Sequence, residues 1–178
     1  GTFSTLWQIY ASTLAQIGNS ANFVPIFNLY ATTTNLGFSG NGLLDSMLAV
    51  VMSHVDASCY VIDCGPNLSA QQAAQRTLPF LRQLRKLSPN TPILLVDQIE
   101  YPTARFVSTV EEKIKGINQN FLKAFDTMKK EGDKNIFYLP SKGIIGDDGE
   151  ATVDGVHLTD LGFFRIADAI IKKLNQIL

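Results

Sequence analysis

The chain has 178 residues, 46% of them hydrophobic and 17% charged, with a net charge of −1. That length and balance suit one globular domain and exclude a disordered or fibrous chain. Lys and Arg are scattered over apparent helix surfaces rather than gathered into a basic face, so nucleic acid is not an expected partner. No apolar run reaches the roughly 18 residues of a membrane span.

In chain order, Thr5–Tyr10 reads as a first strand, and Asn22–Tyr30 as a short amphipathic helix with Pro25 in its first turn. Thr32–Leu36 is β-branched and hence a second strand. Gly42–His54 is apolar at helical spacing, with Leu43, Met47, Val50 and Val51 sharing a face. Ser58–Cys64 is a third strand with few polar residues, as expected when both its faces are covered. Ser69–Leu87 is helical, with Pro79 either kinking it or starting a second piece. Pro92–Val96 is a fourth buried strand, and Val107–Lys130 a long helix weakened locally by Gly116. Asn135–Leu139 is a fifth strand. Thr159–Ile177 closes the chain as a helix with an apolar stripe of Phe163, Ile166, Ala167, Ile170, Ile171 and Leu174.

Alternating strands and helices with nearly continuous apolar strands predict a parallel sheet covered on both sides. The simplest solution is a single domain over residues 1–178 with a three-layer α/β/α, flavodoxin-like fold and a five-stranded parallel sheet. Cys59 and Cys64 lie on one strand at odd spacing, so they point to opposite faces and read as buried apolar residues rather than a disulfide.

Ligands of such sheets bind beyond the carboxyl ends of the strands. After strand one comes Ala11-Ser12-Thr13-Leu14-Ala15-Gln16, and after strand two Gly37-Phe38-Ser39-Gly40-Asn41-Gly42. Gly65-Pro66-Asn67 follows strand three, and Asp154-Gly155-Val156-His157 lies between strand five and the last helix. A hydroxyl attacks only with a base beside it. Of the two histidines, His54 sits at a helix end at the opposite rim, where the helix dipole favours it. His157 lies three residues after Asp154, within reach of that carboxylate across a turn at Gly155. Such a pair also caps helices, and in isolation the two readings weigh about evenly. Gly40 reads either as a turn glycine or as a backbone N–H donor to an oxyanion. Asn67 reads either as an Asx turn or as a side-chain donor to the same oxygen.

Together these blocks resemble the SGNH (GDSL-like) hydrolases. Ser39-Gly40-Asn41 is similar to that family's glycine block, Gly65-Pro66-Asn67 to its Gly-x-Asn block, and Asp154-Gly155-Val156-His157 to its Asp-x-x-His block. The stretches NLGFSGNG, CYVIDCGPN and DGEATVDGVHLTDLGF resemble a Bacteroidetes branch of esterases, some of which carry an extra N-terminal domain and act outside the cytoplasm. The resemblance implies an esterase cleaving a small acyl ester, with a carbohydrate acetyl ester as an expected substrate. It implies no metal or organic cofactor, and a periplasmic or secreted location. No signal peptide is recognisable in the sequence, and a further upstream domain is compatible with it.

The first block departs from the family pattern. Aligning Leu14 and Gln16 puts Thr13 in the nucleophile position and Ser12 one position early, with Ala11 where a glycine is usual. Three readings stay open. Thr13 attacks despite the χ1 restriction of its methyl group. Ser12 attacks after the strand has begun to turn. Alternatively, hydrolysis is lost and a carbohydrate-binding or accessory module remains. A flavodoxin-like nucleotide module is disfavoured, because ASTLAQIGN carries neither a phosphate-cradling loop nor an acidic residue.

Overall fold

A computed structural model describes residues 6–10, 33–36 and 40–178. Five strands, Leu6–Tyr10 (β1), Thr33–Asn35 (β2), Cys59–Asp63 (β3), Ile93–Val96 (β4) and Ile136–Leu139 (β5), form one sheet in the order β2-β1-β3-β4-β5. All four pairings are parallel. The strand order reverses beside β1, which puts the switch point of the doubly wound sheet between β1 and β3. The expected helix Asn22–Tyr30 lies outside the described residues.

The apolar runs of β3 and β4 are legible as strands because both faces are covered. Tyr60, Ile62, Ile93 and Leu95 join a cluster with Phe80, Leu81, Leu84, Ile117 and Phe121 from helices Ala70–Leu87 (α2) and Ser108–Lys130 (α3). Val61, Leu94 and Val96 join a second cluster with Ile166, Ile170 and Leu174 of helix Asp160–Ile177 (α4) on the other face. Cys59 and Cys64 fall into opposite clusters and are free, and burial pushes the Cys59 thiol up to about 12 and that of Cys64 well above its usual value. Neither is poised as a thiolate nucleophile. No helix among the described residues is long and apolar enough to cross a membrane.

Two expectations change. The helix expected over Gly42–His54 begins only at Ser46 and ends at Ser53 (α1). Its buried face is Ala49 and Met52, extended by Leu44 just before it, while Met47 and Val51 are 69% and 51% exposed. Leu43 still packs against the core from before the helix, but within the nearly all-apolar helix the Ala49–Met52 side is the one that turns inward. The long helix α3 runs unbroken through Gly116. A Cβ there would stand 2.7 Å from the Cβ of Ala70, so the glycine permits close contact with the start of α2. Asn120 Nδ2 reinforces the contact by donating to the carbonyls of Gly116 (2.7 Å) and Ala70 (3.3 Å). Pro79 does not divide α2, which is one helix from Ala70 to Leu87.

Arg85 holds the lower rim together. Its guanidinium donates to Asp133 Oδ2 (2.8 Å) and to the carbonyls of Ser88, Pro89, Thr91 and Asn135, tying the end of α2 to the segments that lead into β4 and β5. The pair is largely enclosed, with side chains 16% and 8% exposed. Removing one partner of an enclosed pair leaves the other unpaired and costs about 3–5 kcal/mol. Arg85→Ala is therefore expected to lower stability by about 3 kcal/mol in urea unfolding. Arg85→Lys should recover only a minor part, because an ammonium cannot reproduce the fork of donors.

Candidate active site

The loop between β5 and α4 carries Asp154 and His157. An antiparallel bridge between Thr152 and Leu158 pinches it closed. Val153 N–H donates to the His157 carbonyl (2.7 Å) and Thr159 N–H to the Ala151 carbonyl (3.0 Å). Thr159 caps α4 by accepting from Gly162 N–H at 3.2 Å. Gly162 lies so close to the Ala151 carbonyl that a Cβ would come within 2.1 Å of its oxygen, which presses the base loop onto the first turn of α4. Arg165 fastens the outer part of the loop by donating to Asp148 Oδ1 (2.8 Å) and the Ile145 carbonyl (2.6 Å).

At the tip of this loop Asp154 and His157 meet. Asp154 Oδ1 accepts from His157 N–H (2.7 Å) and Val156 N–H (3.0 Å), and Oδ2 lies 2.7 Å from His157 Nδ1. These bonds hold the carboxyl well below the usual carboxylate range, the imidazole contact first among them. The carboxylate therefore stays ionised, and the order it imposes on the turn persists, until strongly acid pH. With Nδ1 engaged by Asp154, the Nε2 atom is the one left to face a reactant. The pair is open to solvent, with side chains 65% and 52% exposed.

Gly155 lets the turn close, with φ at +87°, a region that favours glycine. Its carbonyl accepts a hydrogen bond from the Thr103 hydroxyl. Thr103 belongs to a strap after β4 that includes a short 3-10 turn, Pro102–Arg105. The strap thus braces the base loop from the neighbouring strand end. A cavity of about 470 Å3 opens beside it, walled by Tyr101, Pro102, Arg105, Ile114, Leu122 and Ile145.

The other candidates fall at the same carboxyl edge. Gly40 follows β2 and has φ of +92°, and among the described residues nothing lies within 4 Å of where its side chain would begin. Arg76 of α2 fastens the stretch just beyond it, donating to the Leu43 carbonyl (3.0 Å) and Asp45 Oδ1 (3.1 Å). Asn67 ends a 3-10 turn, Gly65–Asn67, directly after β3. Its Nδ2 is buried and, among the described residues, has no hydrogen-bond partner. An orphaned buried donor costs about 1–3 kcal/mol. Ser12 and Thr13 lie outside the described residues. His54 caps the end of α1 and is exposed, apart from this rim.

The strand-end survey of the sequence passed over β4, and the residues it missed are there. Asp97-Gln98 is a polar pair directly after Ile93–Val96, and both side chains are buried. Gln98 lies against the glycine of the Gly-x-Asn turn. A Cβ on Gly65 would come within 2.7 Å of Gln98 Cβ and 2.9 Å of its Cα. Gly65→Ala must therefore displace either Gln98 or the turn that carries Asn67. It is expected to cost about 1–3 kcal/mol as an overpacking change, read as a lowered urea midpoint.

A sequence model of the GDSL-like lipase/acylhydrolase family matches residues 28–175. No curated protein matches the chain by sequence. Among solved structures, a GDSL-like lipase from Bacteroides ovatus superposes with a TM-score of 0.86 at 26% identity over 98% of this chain and 53% of that one. A salicylyl-acyltransferase from a tetracycline biosynthetic pathway superposes at 0.78 with 17% identity, over 96% of this chain and 54% of that one. The chain thus spans about half the length of these two proteins. A family 3 carbohydrate esterase from Clostridium thermocellum superposes at 0.71 with 14% identity over 98% and 97%. The family match covers most of the chain and takes in the Gly40, Asn67 and Asp154–His157 blocks; the chain belongs to the GDSL-like lipase/acylhydrolase family.

Proposed function

We propose that the protein hydrolyses a small acyl ester by two-step acyl transfer, with a carbohydrate acetyl ester as its substrate. The observation that carries this reading is the Asp154 Oδ2–His157 Nδ1 contact at 2.7 Å on a solvent-open loop. It fixes one face of the imidazole and leaves the other to a nucleophile. The unpartnered Asn67 Nδ2 at a neighbouring strand end supports it.

In the first step the hydroxyl oxygen of Thr13 or Ser12 attacks the ester carbonyl while His157 takes its proton. Asp154 stabilises the imidazolium. The oxyanion is held by Gly40 N–H, the Asn67 side-chain N–H and the backbone N–H at the nucleophile. Collapse of the intermediate expels the alcohol, which receives the proton from His157. Water then repeats the sequence on the acyl-enzyme and releases the acid. The carbohydrate esterase likeness favours a sugar as the alcohol partner.

Turnover of a chromogenic acetyl ester tests this. His157→Ala is expected to lower kcat/KM by about 10³-fold or more, and Asn67→Ala to lower kcat by about 10²–10³-fold with little change in KM. Thr13→Ala and Ser12→Ala separate the two candidate nucleophiles, since only one should abolish turnover. If Thr13 attacks, Thr13→Ser should raise kcat by up to about 10²-fold by relieving misplacement of the oxygen. A wild-type rate equal to background, unchanged in His157→Ala, would contradict the esterase reading and leave a binding module.

A further inference from the structure

The acyl-transfer scheme aims the Asn67 amide at one point, yet among the described residues no hydrogen bond holds its Nδ2. Its aim is therefore set by the turn Gly65–Asn67, where β3 leaves the sheet. Two backbone bonds close that turn, from Asn67 N–H to the Cys64 carbonyl (3.2 Å) and from Leu68 N–H to the Gly65 carbonyl (3.1 Å). They shape the turn without tying it to the next strand. Its seat on that strand's end is the backbone of Gly65 resting on Gln98. A Cβ on Gly65 would stand 2.7 Å from both Cβ and Oε1 of Gln98 and 2.9 Å from its Cα.

The departure of β3 also takes a partner from Gln98. The β4 segment bonds alternately to its two sides. Ile93 and Asp97 N–H donate to the carbonyls of Asn135 and Leu139 on the β5 side, and the Pro92 carbonyl accepts from Tyr60 N–H of β3. By that alternation the backbone groups of Gln98 face β3, which has turned away at Gly65. Asn118 of α3 takes the place of the missing strand. Its Oδ1 accepts from Gln98 N–H at 2.8 Å, and its Nδ2 donates to the Gln98 carbonyl at 2.9 Å and to Ser141 Oγ at 3.3 Å. One side-chain amide thus satisfies both backbone groups of a single residue. The Gln98 side chain is buried, and its Nε2 donates to the Ile99 carbonyl at 3.0 Å. The same helix braces the far side of the turn, where Gly116 lies against Ala70, the first residue of α2.

We propose that Gln98, clamped by Asn118, is a positioning residue for acyl transfer: it seats the Gly65–Asn67 turn and so aims the Asn67 Nδ2 at the oxyanion. The proposal rests on the esterase reading. An oxyanion donor acts only at the point where charge develops, and misplacement by about an ångström costs up to about 10²-fold in rate. Without the clamp, two buried backbone groups of Gln98 lose their partner. The residue then moves to recover hydrogen bonds and carries the turn with it. The oxyanion forms only on the way through the transition state, so the loss falls on kcat rather than on KM. Gln98 and Asn118 act through Asn67 alone, so their effect vanishes once that amide is gone.

A double-mutant cycle on turnover of the chromogenic acetyl ester tests this. Gln98→Met keeps the length of the side chain without its amide, and Asn118→Ala removes the clamp. Each should lower kcat by about 10–10²-fold and leave KM within about threefold. Introduced into Asn67→Ala, each should lower kcat by less than about twofold more. The two substitutions sit on different elements, so loss of folding in one, read by urea unfolding, leaves the other to complete the cycle. Effects that multiply in the double variants, or that fall on KM, overturn the proposal. A second arm needs no turnover. The side-chain amide signals of Asn67, identified by NMR of isotope-labelled protein through their loss in Asn67→Ala, should shift in Asn118→Ala, although no hydrogen bond joins the two residues among those described. Signals that stay in place overturn the proposal as well. A wild-type protein without turnover defeats the esterase reading alone, and the NMR arm then decides whether Gln98 and Asn118 set the Asn67 amide.

Discussion

The carboxylate of Asp154 is the interaction on which the site depends. Three donors converge on its two oxygens from within three residues of chain, two of them backbone N–H groups and the third the imidazole it orients. A free loop would not hold an imidazole in one orientation. Here the same carboxylate that orients the ring also folds the turn that carries it. The turn in turn needs the backbone of Gly155, the Thr152–Leu158 bridge beneath it and the Thr103 hydroxyl beside it. Positioning of the imidazole is thereby shared between the last loop and the strap after β4, and the packed core supplies the rigidity of both.

The rest of the rim follows a compatible logic. The two clusters flanking the sheet bury β3 and β4 on both faces, so the strand ends are fixed points. What projects beyond them is polar and incompletely satisfied. Among the described residues, Asn67 Nδ2 and Gln98 Oε1 are buried without partners on adjacent strand ends, with Gly65 pressed against Gln98. Each forfeits stability, about 1–3 kcal/mol apiece when fully desolvated. Proteins tolerate such losses where a ligand restores the bond, and the oxygen of an ester in transit would restore that of Asn67.

Much of the fold was legible because buried parallel strands are continuous apolar runs, and CYVID and ILLV have no other comfortable place. The α/β class, the strand–helix alternation and the pairing of Asp154 with His157 came from pattern and spacing. The face of α1 was misread because SMLAVVMS is apolar nearly all round, so the Met47–Val51 side and the Ala49–Met52 side look alike in the sequence. Gly116 was read as a weakness because sequence shows low propensity but not the neighbouring helix; its contact with Ala70 is tertiary. Thr103 left no local signal, since its partner lies 52 residues away. The Ser12–Thr13 block lies outside the described residues, and its departure from the family pattern is a matter for chemistry.

That chemistry can be read directly with a fluorophosphonate, which labels a hydroxyl only when a neighbouring base activates it and fluoride can leave. Peptide mass spectrometry of the labelled protein locates the adduct. A single adduct within residues 11–16, absent from His157→Ala and from Asp154→Ala, is the result expected if the Asp154–His157 pair drives acyl transfer. A folded wild-type protein that takes no label, or takes it equally well without His157, would contradict that claim.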